Sequence, residues 1–413
     1  MITLLLVVIY VAFISLGLPD ALLGVAWPIM QVEYAVPVGF AGLVSMVVSI
    51  CTVISSVLSG RVLGRFGTGR VTAVSVLLTA TALLGISFAP SFIWLILLAI
   101  PLGLGAGSVD AGLNDYVAKY YAASHMNWLH CFWGVGAMSG PIIISQFIGN
   151  NESWRRGYLT VAVVQFALVI MLFLAVPLWG KVAQLTGKAA AALDTKQSDM
   201  PSEKKHQSDK NTTGGIFSPL RIDGVKPVLV VFLFYCGVEA TVGLWGSTFL
   251  IQVKGVDVVT AAGWVSLYFG SITLGRFISG FVSMRVSSKT LIRAGEIAIL
   301  IGALGLLLPL PSVFAMLSFI LIGLGCAPIF PSMLHETPAR FGNKDAQHIM
   351  GFQMAVAYIG TSFLPPLLGI VTSFTTFAIL PFILLGYITL MLVNSERINR
   401  FMVQKRQLNA TPI

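Results

Sequence analysis

Charge is what this sequence has least of: only 10% of its 413 residues are Asp, Glu, Lys or Arg, against about 25% in an ordinary soluble domain. With 56% hydrophobic residues and a mean hydropathy of +0.90, a water-soluble globule is excluded and the chain reads as lipid-embedded. Cysteine is also scarce. The four present, Cys51, Cys131, Cys236 and Cys326, fall in four different apolar runs without C-x-x-C spacing. That argues against a disulfide framework or a zinc site and leaves thiols acting as small apolar side chains. No nucleophile–base pair, metal cluster or phosphate loop of workable spacing is present, so no enzyme, catalytic residue, metal or cofactor is expected. No Arg or Lys is read at mid-membrane either. Carriers of phosphate, nitrate or organic anions need a positive partner in their pore, so anions are set aside as substrates.

What is present is apolar length. Runs of about 20 residues, the length of a membrane-spanning helix, recur twelve times, near 4–31, 37–60, 70–89, 93–118, 127–149, 157–179, 226–252, 259–284, 289–308, 312–334, 347–371 and 374–395. The first has no basic segment before it and contains an acid, so it is read as a retained span and not as a signal peptide. A net charge of +9 invites a nucleic-acid partner, but the basic residues are sorted by position. With the N-terminus inside, the inner segments hold 22 Lys and Arg and the outer ones three, Arg155, Arg156 and Lys254. This positive-inside bias predicts a multi-pass protein of the cell membrane with both termini cytoplasmic. Clusters such as Arg61, Arg65, Arg70 and Arg285, Lys289, Arg293 then read as orientation signals and lipid headgroup contacts, not nucleic-acid contacts. Asn151-Glu152-Ser153 matches a glycosylation sequon in an expected outer loop.

The fold class expected is an all-α membrane protein of twelve helices in two pseudo-symmetric six-helix bundles. Residues 1–180 form the first bundle, 181–225 a polar cytoplasmic linker, 226–396 the second bundle and 397–413 a tail. Composition sets the linker apart, because its charged stretch buries too little apolar area to fold alone. The halves repeat at an offset of 220 residues: Gly17 matches Gly237, Gly60 matches Gly280, and Gly103-Leu-Gly105 matches Gly323-Leu-Gly325. After span 2, Gly60-Arg61-Val-Leu-Gly64-Arg65-Phe-Gly67-Thr-Gly-Arg70 is similar to the loop signature G-x-x-x-D-R-x-G-R-R, with Gly64 where the acid usually stands. A related Gly275-Arg276 and Gly280 precede the turn after span 8. Layout and loop together resemble the major facilitator superfamily, which implies a substrate site near midplane between the halves. The resemblance also implies that Gly60, Arg61, Arg65, Gly67 and Arg70 form a cytoplasmic gate loop, weakened by the missing acid.

Ionisable groups inside spans are costly and by default functional. Asp20 lies in span 1 with Gly24 and Trp27 at i+4 and i+7, one stripe of a continuous helix. A carboxylate beside an indole suits a hydroxyl-rich ring, or a cation held by cation–π attraction. The alternatives are an interhelical hydrogen bond for Asp20 and an interfacial anchor for Trp27. In span 4, Asp110 and Asn114 share a face, Asp115 points elsewhere near Lys119, and Gly103 with Gly107 forms a small-residue packing face. Span 5 carries Asn127, His130 and Trp133 on one face. The ordinary pKa of histidine falls near neutrality, so His130 suits proton sharing or hydroxyl binding; a helix-mouth contact is the plainer role. In the second half, Glu239 repeats the arrangement of span 1 with Gly243 and Gly246, and Gln353 adds an amide to the cavity or else a packing hydrogen bond. His335-Glu336 is assigned to a loop with Arg340 and Lys344.

Spans 4 and 5 resemble the fucose–proton symporter family through Asp110, Asn114 and Tyr116, then Asn127, His130, Phe132, Gly136 and Ala137, with Asp20 as the acid of span 1. The resemblance implies that Asp20 links sugar binding to protonation, that Asp110 helps release the proton, and that His130 and Trp133 face the cavity. Asp110 stands where that family commonly has Glu, and Trp133 where a polar residue occurs, so the sugar stays open. Desolvation favours the neutral form of a lone carboxylate, which is the physical requirement for proton coupling. The expectation is proton-coupled symport of a neutral, monosaccharide-like solute by a monomer. Asp20 and Asp110 couple, and Asp20, Trp27, Asn114, His130, Trp133, Glu239 and Gln353 bind. Sodium stays open as the coupling ion. The alternative is a proton-driven exporter of cationic or lipophilic compounds, drawn from Gly136-x-x-x-Gly140-Pro141, although Ile144-Ser145 stand where that signature continues with paired glycines. A transporter-like sensor is a further class, disfavoured by the two mid-span acids.

Overall fold

The computed structural model describes residues 2–121, 123–150, 152–197 and 218–410. The first half comprises α1 (Ile2–Gly17), α2 (Leu22–Glu33), α3 (Phe40–Phe66), α4 (Thr68–Ser87), α5 (Phe92–Tyr120), α6 (Ala123–Gly149) and α7 (Trp154–Gln197). The second comprises α8 (Val225–Gln252), α9 (Val258–Val282), α10 (Ser288–Leu307), α11 (Ser312–Phe341), α12 (Asn343–Phe374) and α13 (Leu380–Ala410). Among the described residues there is no strand, and twelve stretches are long and apolar enough to cross a membrane, α1 and α2 together making the first. Twelve crossings return the chain to the side it started from. We call that side the termini end and the opposite one the far end.

The internal repeat is visible in how glycines let helices approach. A Cβ on Gly103 would lie 2.2 Å from the Val48 carbonyl oxygen, and one on Gly323 would lie 2.6 Å from that of Tyr268. Val48 and Tyr268 are themselves 220 residues apart. Likewise a Cβ on Gly105 would meet Ser75 O at 2.5 Å and one on Gly325 would meet Gly295 O at 2.6 Å, with the reciprocal approach of a Cβ on Gly295 to Gly325 O at 2.4 Å, and Ser75 and Gly295 keep the same offset. Backbone-to-backbone packing of α5 on α3 and α4 is thus repeated by α11 on α9 and α10. Gly107 extends the first seam against Thr52 O at 2.2 Å, which fulfils the small-residue face read from span 4.

Three expectations change. Span 1 is not one helix: α1 ends at Gly17 and α2 starts at Leu22. Pro19 has no N–H to donate and disfavours helical geometry at Leu18, so the chain turns there. Short-range bonds from Asp20 N to Gly17 O and from Leu22 N to Pro19 O, both 3.2 Å, replace the regular ladder. At the expected linker, α7 continues as helix to Gln197, past the boundary at residue 180, and α13 likewise runs through the expected tail to Ala410; residues 198–217 lie outside the described part. His335 and Glu336 belong to α11 and not to a loop. Glu336 pairs with Arg340 one turn on, at 3.1 Å. Nearby, Glu296 is buried and accepts a hydrogen bond from Ser395 at 2.5 Å, and Arg293 pairs with Glu396, so α10 and α13 are tied at the termini end.

The halves meet most tightly at the far end. A Cβ on Gly24 of α2 would lie 2.5 Å from Gly243 O of α8, and one on Gly39 would lie 2.3 Å from Gly369 O of α12. Ser266 of α9 donates to Met138 O of α6 at 2.8 Å. At the termini end, the added atoms on Gly60, Gly64, Gly67 and Gly280 would meet nothing within 4 Å.

Candidate substrate cavity

Between the halves lies a cavity of about 1020 Å³, lined from both sides, at the upper end of the range for sites that enclose a small organic molecule. Its far-end walls, including Met30, Leu83 and Leu95, are buried, whereas Gly280, Ser283 and His335 on its termini-end walls are exposed. The mouth therefore faces the termini end.

Of the residues singled out in the sequence, Asp20, Asp110, Asn114, His130, Trp133 and Glu239 all line this cavity. Asp20 stands at the break between α1 and α2, and its exposure is to the cavity. A break in a membrane-spanning helix frees backbone and side-chain groups that can meet a ligand at midplane. Trp133 Nε1 donates to Asp20 Oδ2 at 2.7 Å. Glycines bring the two together: a Cβ on Gly17 would lie 2.1 Å from Trp133 O, and one on Gly136 would lie 2.1 Å from Ile14 O. Gly136 and Gly140 thus seat α6 on α1, with Gly140 against Leu18 O at 2.6 Å, which gives a packing role to the glycine spacing that suggested an exporter. His130 sits edge-on to Phe13, ring centres 5.8 Å apart.

Asp110 is held by two side chains through three hydrogen bonds. Asn114 Nδ2 donates to Asp110 Oδ1 at 2.8 Å and to its carbonyl at 2.9 Å, confirming that the two share a face. From the opposite half, Tyr358 Oη of α12 donates to Asp110 Oδ2 at 3.2 Å. This bond crosses the cavity.

Two expected residues are elsewhere. Trp27 is fully buried and its Nε1 donates to Val38 O at 2.6 Å; the break at Pro19 takes α2 off the stripe that a continuous helix would have shared with Asp20. Gln353 is fully buried and hydrogen-bonds Thr337 Oγ1 at 3.0 Å, the packing alternative. Neither lines the cavity. Tyr116, part of the family pattern, donates to Trp179 O at 3.1 Å, away from the cavity. The side chain of Asn127, and Asn151 of the sequon, lie outside the described residues. Gly60, Arg61, Arg65, Gly67 and Arg70 lie at the α3–α4 junction, with Gly67 at φ +80° making the turn.

The largest correction is Arg276. It sits in α9 six residues before Val282, and its guanidinium lines the cavity. Arg276 Nη2 lies 3.2 and 3.3 Å from the two carboxylate oxygens of Glu239 and 3.4 Å from Tyr235 Oη. Tyr235 in turn donates to Glu239. The guanidinium carbon lies 5.3 Å from the centre of the Trp133 ring, a cation–π contact across the halves. The sequence held the signal: at the 220-residue offset Arg276 matches Ser56, inside a span, not Arg61 in the loop. Tyr235 and Tyr358 were also missed, since a tyrosine in an apolar run carries no mark of which face it occupies.

Two six-helix halves, related by an internal repeat and closed at one end around a cavity that carries ionisable side chains on mainly apolar walls, define a membrane transporter. The family model of the Major Facilitator Superfamily matches residues 9–365, and the chain belongs to that family. It is 26% identical over 251 residues to the glucose/mannose transporter GlcP of Bacillus subtilis (strain 168), covering 58% of this chain and 56% of GlcP. It is 22% identical over 283 residues to Bypass of stop codon protein 6 of Saccharomyces cerevisiae (strain ATCC 204508 / S288c), covering 67% of this chain and 56% of that one. The chain thus spans about half the length of these relatives. Among solved structures, a D-xylose–proton symporter superposes with a TM-score of 0.71 at 14% identity, covering 96% of this chain and 97% of that one. The family and this structural neighbour are transporters, not enzymes.

Proposed function

We propose that this transporter carries a neutral, hydroxylated, monosaccharide-like solute by proton-coupled symport. The observation that carries the reading is Asp20, an ionisable group on a helix break at the cavity, hydrogen-bonded by the indole of Trp133. A carboxylate fixed by one donor keeps lone pairs for solute hydroxyls, and the aromatic walls of Trp133 and Phe269 suit the apolar face of a sugar ring. The reading is supported by relatives described as a glucose/mannose transporter and a D-xylose–proton symporter. Arg276 revises the argument against anions without reversing it, because Glu239 already neutralises it. In the proposed cycle Asp20 takes a proton with the solute at the far end, the halves rock, and both leave at the termini end with Asp110 assisting. In this reading the positive-inside bias makes the termini cytoplasmic, and the membrane is that of the cell. The protein works as a monomer, and the α3–α4 loop gates the termini end.

A second reading is export of cations, favoured by Asp20, Asp110 and Glu239 outnumbering the one guanidinium among the cavity's described residues. Reconstituted vesicles separate the two. Lumenal pH is followed while glucose, xylose or a lipophilic cation is added, with and without sodium. Sugar-dependent proton entry in the direction of the solute supports symport. Proton movement that persists in Asp20→Asn defeats the role of Asp20, and coupling lost without sodium replaces the proton as the driving ion.

A further inference from the structure

The geometry points to Glu239 as a specificity-determining residue: by neutralising Arg276 it keeps carboxylated solutes out of a cavity that would otherwise hold an anion site. The inference rests on the reading of this cavity as the solute site and concerns the charge of what enters.

Arg276 is the one Lys or Arg among the described residues lining the cavity. Its side chain and that of Glu239 are 16% and 17% exposed, so the pair is reachable from the cavity yet largely desolvated. A cation in such a place must be compensated, and removing its partner is far more costly than at a surface. Glu239 supplies that compensation in the second half, while Trp133 holds the guanidinium against the first. All side-chain hydrogen bonds from Arg276 to described residues run through Nη2. A guanidinium has five N–H donors in a planar fork, so most of its donors remain for a ligand. With Glu239 ionised, the pair has no net charge and those donors suit hydroxyl oxygens. With Glu239 replaced by its amide, the same fork is an uncompensated cation of the geometry that binds a carboxylate through two parallel bonds. Asp20 and Asp110, in the same cavity, add repulsion against an anion whenever they are ionised, and they do so in all the variants alike. The effect of Glu239 must therefore be read as a ratio between variants.

The test measures binding to purified protein by titration calorimetry at one pH, with glucose, glucuronate and benzoate as probes. The forms compared are wild type, Glu239→Gln, Arg276→Gln and the double variant, with a thermal melt for each. The expected result is wild type binding glucuronate at least tenfold more weakly than glucose. Glu239→Gln should then gain at least tenfold for glucuronate and also gain for benzoate, and the double variant should lose both gains. Glu239→Asp, whose shorter side chain withdraws the carboxylate while keeping its charge, is expected to gain less than the amide and gives a second reading if Glu239→Gln melts early. Equal affinity of wild type for glucose and glucuronate would overturn the inference. So would a Glu239→Gln protein with no anion gain, or a gain that survives loss of Arg276. Gains for glucuronate and benzoate without glucose binding in any form would uphold the masking of Arg276 while refuting the neutral-sugar reading.

Discussion

Gly24 offers the sharpest test of the proposed rocking of the two halves. Alanine here adds one carbon, placed 2.5 Å from Gly243 O, 2.8 Å from Leu244 O and 3.0 Å from Leu244 Cα. Each of these is backbone of α8, so no side chain can rotate away. Overpacking a well-packed seam costs about 1–3 kcal/mol, and here all of it falls on the arrangement closed at the far end. In the far-end-open arrangement of the proposed cycle, α2 and α8 would part and the methyl group would be free. The equilibrium between the two should therefore move toward the far-end-open form by about 5- to 150-fold. Spin labels on Val32→Cys and Phe374→Cys, both exposed near that end, report the change as a growing population at longer distance. The four native cysteines are replaced first. Gly24→Val should enlarge the effect, and Gly64→Ala, whose added atom meets nothing within 4 Å, should leave the distribution alone. An unchanged distance distribution in folded Gly24→Ala and Gly24→Val protein would refute the idea that this seam opens.

Other outcomes follow from single contacts. Trp133→Phe keeps an aromatic wall but removes the 2.7 Å donor to Asp20; hydrogen bonds to charged groups contribute about 1.5–3 kcal/mol, so half-saturating solute in a flux assay should rise about tenfold or more. Tyr358→Phe removes the bond from α12 to Asp110, and proton release measured in vesicles should slow by a larger factor than solute binding weakens, because the lost donor touches Asp110 and not the proposed solute contacts at Asp20. Arg155 donates to Glu33 at 2.6 Å and to Ala89 O at 2.7 Å, so Arg155→Ala should destabilise the far end of the first half by about 1–2 kcal/mol in chemical denaturation, less than a fully buried pair because both side chains reach solvent. Asp257 caps α9 by accepting from Thr260 N at 2.9 Å, and Asp257→Ala should cost about 1 kcal/mol. Those bonds hold its carboxyl below the ordinary range. Its contribution is therefore present above about pH 4 and lost as acidification passes the lower folded value, so the gap between wild type and Asp257→Ala should close in acid melts.

Much of the site was legible because lipid makes polar residues conspicuous. Asp20, Asp110, Asn114, His130 and Glu239 stood out against apolar runs, and all line the cavity. Trp133 followed from its spacing to His130. Trp27 and Gln353 misled for one reason: helical spacing says which residues share a stripe only while the helix continues, and gives no choice between a cavity and a packed neighbour. Pro19 carried the warning for Trp27, and the offset of 220 carried it for Arg276.

The sequence by itself determined the twelve spans, the two halves, their register and the presence of acids within them, because burying a backbone in lipid permits few arrangements and a repeat imposes the same packing twice. Only the tertiary structure decided which end is closed, that Trp133 reaches Asp20, that Tyr358 crosses to Asp110 and that Glu239 neutralises Arg276. Those contacts join residues 113, 248 and 37 positions apart. They depend on how closely helices approach and how far one half leans on the other, which no periodicity along a single helix encodes.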